Sequence, residues 1–162
     1  MNNDTIINTF WEKLGESSFV MVGVPDGPRH SEPMTAFFDR KLGSDVFIFL
    51  ADDNRLCLAL KEGRRDAMLQ YVAKSHDFFA CISGQMERVV DEATIDRFWN
   101  ENVAEWFSGG RRDPKLTMLR IRLRDGEMWS SDMSIKGKVK LMLSGELDRD
   151  ELETQHAQVA MA

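Results

Sequence analysis

The chain is poor in the residues that build metal centres, disulfide frameworks and membrane spans. It has two cysteines, Cys57 and Cys81, both in apolar settings. That is too few for a disulfide scaffold or a metal knot, and both read as small core residues in a reducing compartment. The three histidines, His30, His76 and His156, lie far apart and lack metal-ligand spacing. No apolar run approaches the roughly 20 residues that cross a bilayer. The start, MNNDTIINTFW, is polar and has no basic n-region, so a signal peptide is not expected and a cytoplasmic location is. Positive charge is outweighed, with 21 Lys and Arg against 27 Asp and Glu and a net charge of −6. That balance argues against non-specific nucleic-acid binding and against an anionic membrane surface. GxGxxG, P-loop and HExxH patterns are missing, and no nucleophile-elbow sequence surrounds Ser17, Ser18 or Ser31. Hydrolysis and metal catalysis are therefore disfavoured.

What is present is an ordinary globular balance, 43% hydrophobic and 30% charged in 162 residues. This fits one domain able to bury a sizeable core. A first helix carries Ile6, Ile7, Phe10, Trp11 and Leu14 as its stripe, with Gly15 expected to close it. A strand over 18–24, the PDGP turn and a return strand over 29–39 make a hairpin. Pro33 has no N–H for a ladder, so it belongs on an edge or at a bulge. The run VFIFLA over 46–51 predicts a strand buried on both faces. NRLCLALK reads as a short helix capped from Asp52, Asp53 or Asn54 and ended by Gly63. A fourth strand spans 66–73.

The stretch 78–106 organises the rest. Its first half reads as a long strand interrupted at Gly84, where a bulge, a bend or a close backbone approach is expected. Asp91 then suits a helix N-cap before Ile95, Phe98 and Trp99. A second short helix is expected to carry Val103, Ala104, Trp106 and Phe107. A strand over 116–123 places Leu116, Met118, Arg120 and Arg122 on one face. A separate short strand is expected at 127–131 and a helix at 135–143. Six or seven short strands with a few small helices and short connections predict an α+β fold. Its core is an antiparallel barrel, spanning 1–147, with a flexible or helical tail over 148–162.

Several segments together carry a family resemblance. They are HSEPMTA, FIFLADDNRLCLAL, YVAKSHDFFACISG, VVDEATIDRFWNENVAEWFSGGRRDP and LTMLRIRLRDGEMW. The chain resembles the general stress protein branch of the pyridoxamine 5′-phosphate oxidase-like, FMN-binding split barrels, over roughly residues 5–143. The resemblance implies a six-stranded antiparallel split β-barrel with short flanking helices. It also implies a homodimer with FMN in two symmetric clefts and an oxidoreductase activity of unknown substrate. By that resemblance His30, Ser31, Glu32, Pro33, Met34 and Thr35 lie along the flavin ring. Leu50, Ala51, Asn54, Arg55 and Leu56 hold the phosphate. Ser83, Gly84 and Gln85 lie near the cofactor, and Trp106 is presented by the partner subunit.

FMN needs an apolar slot, backbone donors for the ring edge, and a cation or helix start for its phosphate. Arg55 can supply the cation. The sequence departs from the family pattern at Glu32 and Ala51, and Asp52 and Asp53 add negative charge nearby. Plainer roles stand beside these. Met34 is equally a core filler, Trp99 and Trp106 pack a helix onto the barrel, Arg55 is a solvated helix residue, and Gly84 is a structural bend. Two alternatives follow: a non-catalytic dimeric split-barrel module that has lost tight FMN binding, or a binder of another planar cofactor such as a deazaflavin or haem. No residue qualifies as an acid–base catalyst on its own evidence.

Overall fold

The computed structural model describes residues 3–131 and 156–161. Its frame is an antiparallel sheet formed by β1 (Phe19–Gly23), β2 (Glu32–Thr35), β3 (Asp45–Ala51), β4 (Asp66–Val72), β5 (Phe78–Arg88), β6 (Leu116–Ser130) and β7 (His156–Ala160). The strands run in the order β2-β1-β4-β5-β6-β3. A bridge between Phe37, just past β2, and Phe47 of β3 brings the two ends of that path together. Six strands thus nearly close into a barrel, and β7 lies outside the path as a second neighbour of β6.

Helix α1 (Asn3–Glu16) plugs one side with Ile6, Phe10, Trp11 and Leu14 buried. Asp4 in its first turn and Lys13 in its last complement the helix dipole. Gly15 does not end the helix, which continues to Glu16. The Tyr71 hydroxyl fastens this end to β4, lying 2.6 Å from the Lys13 carbonyl and 2.9 Å from that of Ser17. Burial pushes its pKa up to about 12, which keeps the proton on the oxygen and available to those acceptors.

Strand β3 separates two apolar clusters. Val46, Ile48 and Leu50 face the barrel interior with Val20, Leu69, Ile82 and Leu119. Phe47 and Phe49 face outward, under α3 (Glu92–Phe98) and α4 (Glu101–Ala104), with Val89, Ile95, Val103, Phe107 and Met118. The expectation of a strand buried on both faces holds. Helix α2 (Arg55–Lys61) is capped by Asn54, whose Oδ1 accepts from the Leu56 N–H, and the chain reverses at Gly63 with φ +86°.

Gly84 lies where β5 meets a bulge of β6. The pairing of the two strands slips there, Ser83 opposing Asp125 and Gly84 opposing Leu123, so Arg124 is an extra residue on β6. A Cβ at Gly84 would lie 2.7 Å from the Arg122 carbonyl oxygen, and one at Gly126 would lie 2.5 Å from that of Cys81. Both glycines let backbones approach. This bulge also explains one difference from the sequence reading. Asp125 and Gly126 do not break the chain into two strands but lie within a single 15-residue strand.

Other expectations are adjusted too. The return strand of the hairpin is only four residues, because the chain leaves β1 after Thr35 to bridge β3. Helix α4 ends at Ala104, so Trp106 and Phe107 lie beyond it. The helix expected at 135–143 falls outside the described residues. The end of the tail is a strand rather than a helix, since Val159 and Met161 are buried at alternating positions. His156 of β7 stacks on Trp129, with ring centroids 5.0 Å apart and planes at 9°. The two cysteines are free thiols.

Candidate functional site

Strand β2 and the residues before it meet the start of α2 in a polar knot. Glu32 accepts from Asn54 Nδ2 through Oε1 at 2.5 Å, and its Oε2 lies 3.2 Å from Arg55 Nε. The Arg55 guanidinium also donates to the His30 carbonyl at 2.9 Å. His30 therefore contributes its backbone, while its side chain is exposed. Arg55 is the cation that sequence reasoning assigned to an anion, and it already holds one. Helix α2 has seven residues, and its Leu56 N–H is taken by Asn54, so the helix start offers less to an anion than the guanidinium does. The carboxylate nearest the cation is Glu32; Asp53 is exposed, and the Asp52 main chain is tied to the Lys115 carbonyl.

One residue further along β2 the surface turns apolar. Pro33, Met34 and Thr35 line an open cleft of about 280 Å³ with Phe19 of β1, Phe49 of β3 and Trp106. Trp106 is 51% exposed and Phe19 is 72% exposed, an arrangement that leaves two aromatic faces free for a flat ring. Met34 serves both readings, packing against the barrel core and lining this cleft. Phe19 and Phe49 had not been singled out. The signal for Phe19 is the alternation of β1, where Val20 and Val22 turn inward and leave Phe19 and Met21 outside; that for Phe49 is its place between Ile48 and Leu50 on β3.

The remaining expected residues separate from these two groups. Leu50 and Leu56 are core residues, and Ala51 ends β3 opposite Leu116. Gly84 faces the barrel interior at the bulge, a structural role. Ser83 and Gln85 face the other side of the sheet. Ser83 Oγ approaches Met68 Sδ, and Gln85 bonds Asp66 and Arg124. Strands β1 and β4 separate them from β2. Ser31 lies over Gly23, where a Cβ would meet its Oγ at 2.2 Å.

An apolar, aromatic-edged slot beside an anchored arginine fits a flat ring with an anionic tail. The fit is imperfect at the tail, where Glu32 competes for Arg55. Among the described residues no group of three or more His, Cys, Asp or Glu side chains could hold a metal ion.

The fold is an α+β split barrel. The chain belongs to the pyridoxamine 5′-phosphate oxidase-like family, whose model matches residues 5–152. It is similar to the general stress FMN/FAD binding protein of Xanthomonas citri, with 34% identity over 82% of this chain and 93% of that one and a TM-score of 0.73. A candidate general stress family protein of Xanthomonas campestris is 35% identical over 82% and 92% of the two chains, with a TM-score of 0.69. A candidate general stress protein 26 of a Jannaschia species is 22% identical and matches in fold over 98% and 99% of the chains, with a TM-score of 0.77. No curated protein matches in sequence.

Proposed function

We propose that this is a homodimeric, cytoplasmic, FMN-binding member of the general stress branch of its family. Its FMN ring lies in the cleft of Pro33, Met34, Thr35 and Trp106, and its phosphate at Arg55. The observation that carries the reading is the cleft itself: an aromatic-edged slot along β2, one residue from a strand-anchored arginine. The 34% identical Xanthomonas citri protein, described as FMN/FAD binding, supports the choice of ligand. FMN, when bound, supplies hydride or electron transfer, and the protein supplies position and electrostatics. In this chain Arg55 would orient the phosphate, Trp106 and Phe19 would shield the ring from water, and Met34 would set the depth of the slot. The substrate is not named by any side chain in the cleft.

Pairing of two copies has its own support. Phe19, Met21 and Val72 stand out on the same side of the sheet as Met68 and Cys81, with Val72 52% exposed. Monomers seldom leave such a run of apolar side chains uncovered. Two free cysteines and the absence of a membrane-length apolar helix among the described residues suit a cytoplasmic setting. A second reading, a dimeric module that has lost tight FMN binding, is favoured by one contact, the Glu32–Arg55 pair. Purified protein separates the two. Flavin absorbance, released on denaturation and identified as FMN by chromatography, is expected. Colourless protein that fails to quench added FMN would establish the module instead. Sedimentation as a monomer at micromolar concentration would overturn the homodimer.

A further inference from the structure

A second cleft lies where β5 ends. It is an open groove of about 390 Å³ between the end of β5, helix α3 and the 3-10 turn Gly110–Arg112. Three arginines border it: Arg88, Arg111 and Arg112. Arg111 is engaged by two carboxylates, since it bonds Glu92 and lies 2.7 Å from Asp96 Oδ1. Arg88 and Arg112 have no hydrogen-bond or ion-pair partner among the described residues, in a chain whose net charge is −6. Asp113, the other carboxylate at the rim, accepts from the Gly109 and Lys115 N–H groups at 2.8 and 2.9 Å. Its charge is thus engaged by its own loop. The carboxylates around the cleft are thus all engaged, while two of its guanidiniums are not.

The walls are apolar. Val90 is 82% exposed, the most exposed large apolar side chain among the described residues, and Leu116 is half-buried beside it. Thr117 lies in the lining, almost fully buried, and its Oγ1 has no hydrogen-bond partner. A buried hydroxyl without a partner is uncommon in a relaxed structure and marks places that a ligand or water completes.

We propose that this cleft binds a small amphipathic anion, its carboxylate or phosphate head held by Arg88 and Arg112 and its apolar body lying against Val90 and Leu116. Neither charge nor apolarity alone accounts for the pairing. Free arginines without apolar walls would be a solvated surface, and an exposed valine without them would be an isolated apolar residue. The site shares no residue with the Arg55 knot or the Trp106 cleft, so the proposal stands apart from the flavin reading.

The test uses the full chain with whatever flavin it retains, titrated with octanoate, octyl phosphate and 1-octanol by calorimetry and by NMR. Both anions are expected to saturate in the millimolar range or below, and octanol to bind at least about tenfold more weakly, a difference of about 1.4 kcal/mol. The tighter of the two anions identifies the head group. Arg88→Gln with Arg112→Gln should reduce anion affinity at least tenfold and leave octanol unchanged. Thr117→Val should weaken the anions while leaving the free protein as stable or more so, because it removes an unpaired hydroxyl. The idea is overturned by non-saturable binding of both anions, by equal affinity for octanol and octanoate, or by unchanged anion binding in the double arginine variant.

Discussion

Strand β3 is bridged to the chain just past β2, and the two strands could hardly differ more. Strand β3 is seven residues of DVFIFLA, with one apolar cluster on each face and its side chains buried through the middle. Strand β2 is four residues of EPMT, with Pro33 exposed and only Met34 reaching the core. Strand β3 makes the barrel; β2 is displayed by it. A short edge strand whose proline cannot extend the ladder leaves backbone and side chains free for something other than protein. The comparison predicts that stability resides in β3 and ligand recognition in β2, and each part can be broken separately.

The largest effect is expected at Phe47. It is fully buried, its ring stacks on Phe98 at 4.8 Å, and the Arg120 guanidinium lies 5.2 Å over its centroid. Phe47→Ala should destabilise the fold by about 3–5 kcal/mol. At about 2–4 °C per kcal/mol for a chain of this size, the melting midpoint should fall by roughly 6–20 °C. Pro33→Ala, on the displayed strand, should change stability by no more than about 0.5 kcal/mol. Equal losses in calorimetry would mean that the two strands share the load.

Next comes the Glu32–Arg55 pair. Both side chains are partly exposed, so the ion pair contributes little by itself, about 0–1 kcal/mol. A charge-assisted contact to a phosphate is worth about 1.5–3 kcal/mol. The phosphate should therefore displace Glu32 and pay a penalty for doing so. Arg55→Ala should weaken FMN by roughly 10- to 150-fold and riboflavin, which lacks the phosphate, hardly at all. Glu32→Gln should strengthen FMN and leave riboflavin unchanged. Fluorescence quenching with both flavins decides. Equal losses of FMN and riboflavin in Arg55→Ala would assign Arg55 to holding the His30 loop instead.

Trp106 should matter less to affinity and least to folding. It is half-exposed beyond the end of α4, so its removal opens little core. An aromatic contact to the ring contributes about 0.5–1.5 kcal/mol, so Trp106→Ala should weaken FMN and riboflavin alike by roughly 2- to 12-fold. A drop in melting midpoint comparable to that of Phe47→Ala would return Trp106 to the role of packing a helix on the barrel.

How much of this was legible beforehand differs between the two strands for the same reason. Strand β3, the Asn54 and Asp91 caps and the close backbone approach at Gly84 follow from local rules of burial, capping and backbone room, and the sequence displays all of them. The cleft depends on residues brought together from β1, β2, β3 and the chain after α4, and periodicity says nothing about such meetings. Family resemblance pointed to Pro33, Met34, Thr35 and Trp106, yet not to Phe19 or Phe49. Nor could it show that Glu32, the departure from pattern, is seated on Arg55. The tail misled because its described strand is five residues long, and their alternation is brief.

The smallest effect concerns the join between β5 and β6, away from both β2 and the cleft. Glu87 Oε1 accepts from Arg122 at 3.0 Å and from Arg120 at 3.2 Å. The hydrogen bond from Arg122 is the main reason that its carboxyl is held below the ordinary value of 4.5; slight burial opposes it, and Arg120 adds to it. A depressed folded pKa means that the contribution is complete above the unfolded value and is lost as pH falls through the folded one. Asp45, which also lies on Arg120 at 3.4 Å, behaves oppositely. Burial raises its pKa despite the arginine, so its ionisation opposes folding, and that opposition is relieved as pH falls. The two carboxylates therefore give acid unfolding opposite slopes through one guanidinium. Glu87 is more than a third exposed, so solvent screening keeps its share below about 1 kcal/mol. Glu87→Gln should cost that small amount at neutral pH and flatten the loss of stability below pH 4.5, as read from denaturant midpoints across a pH series. A variant whose acid limb is as steep as that of the unaltered protein would assign the slope to other carboxylates, first among them Asp77. Its bonds from Ser75 and Lys13 outweigh burial and hold its pKa low.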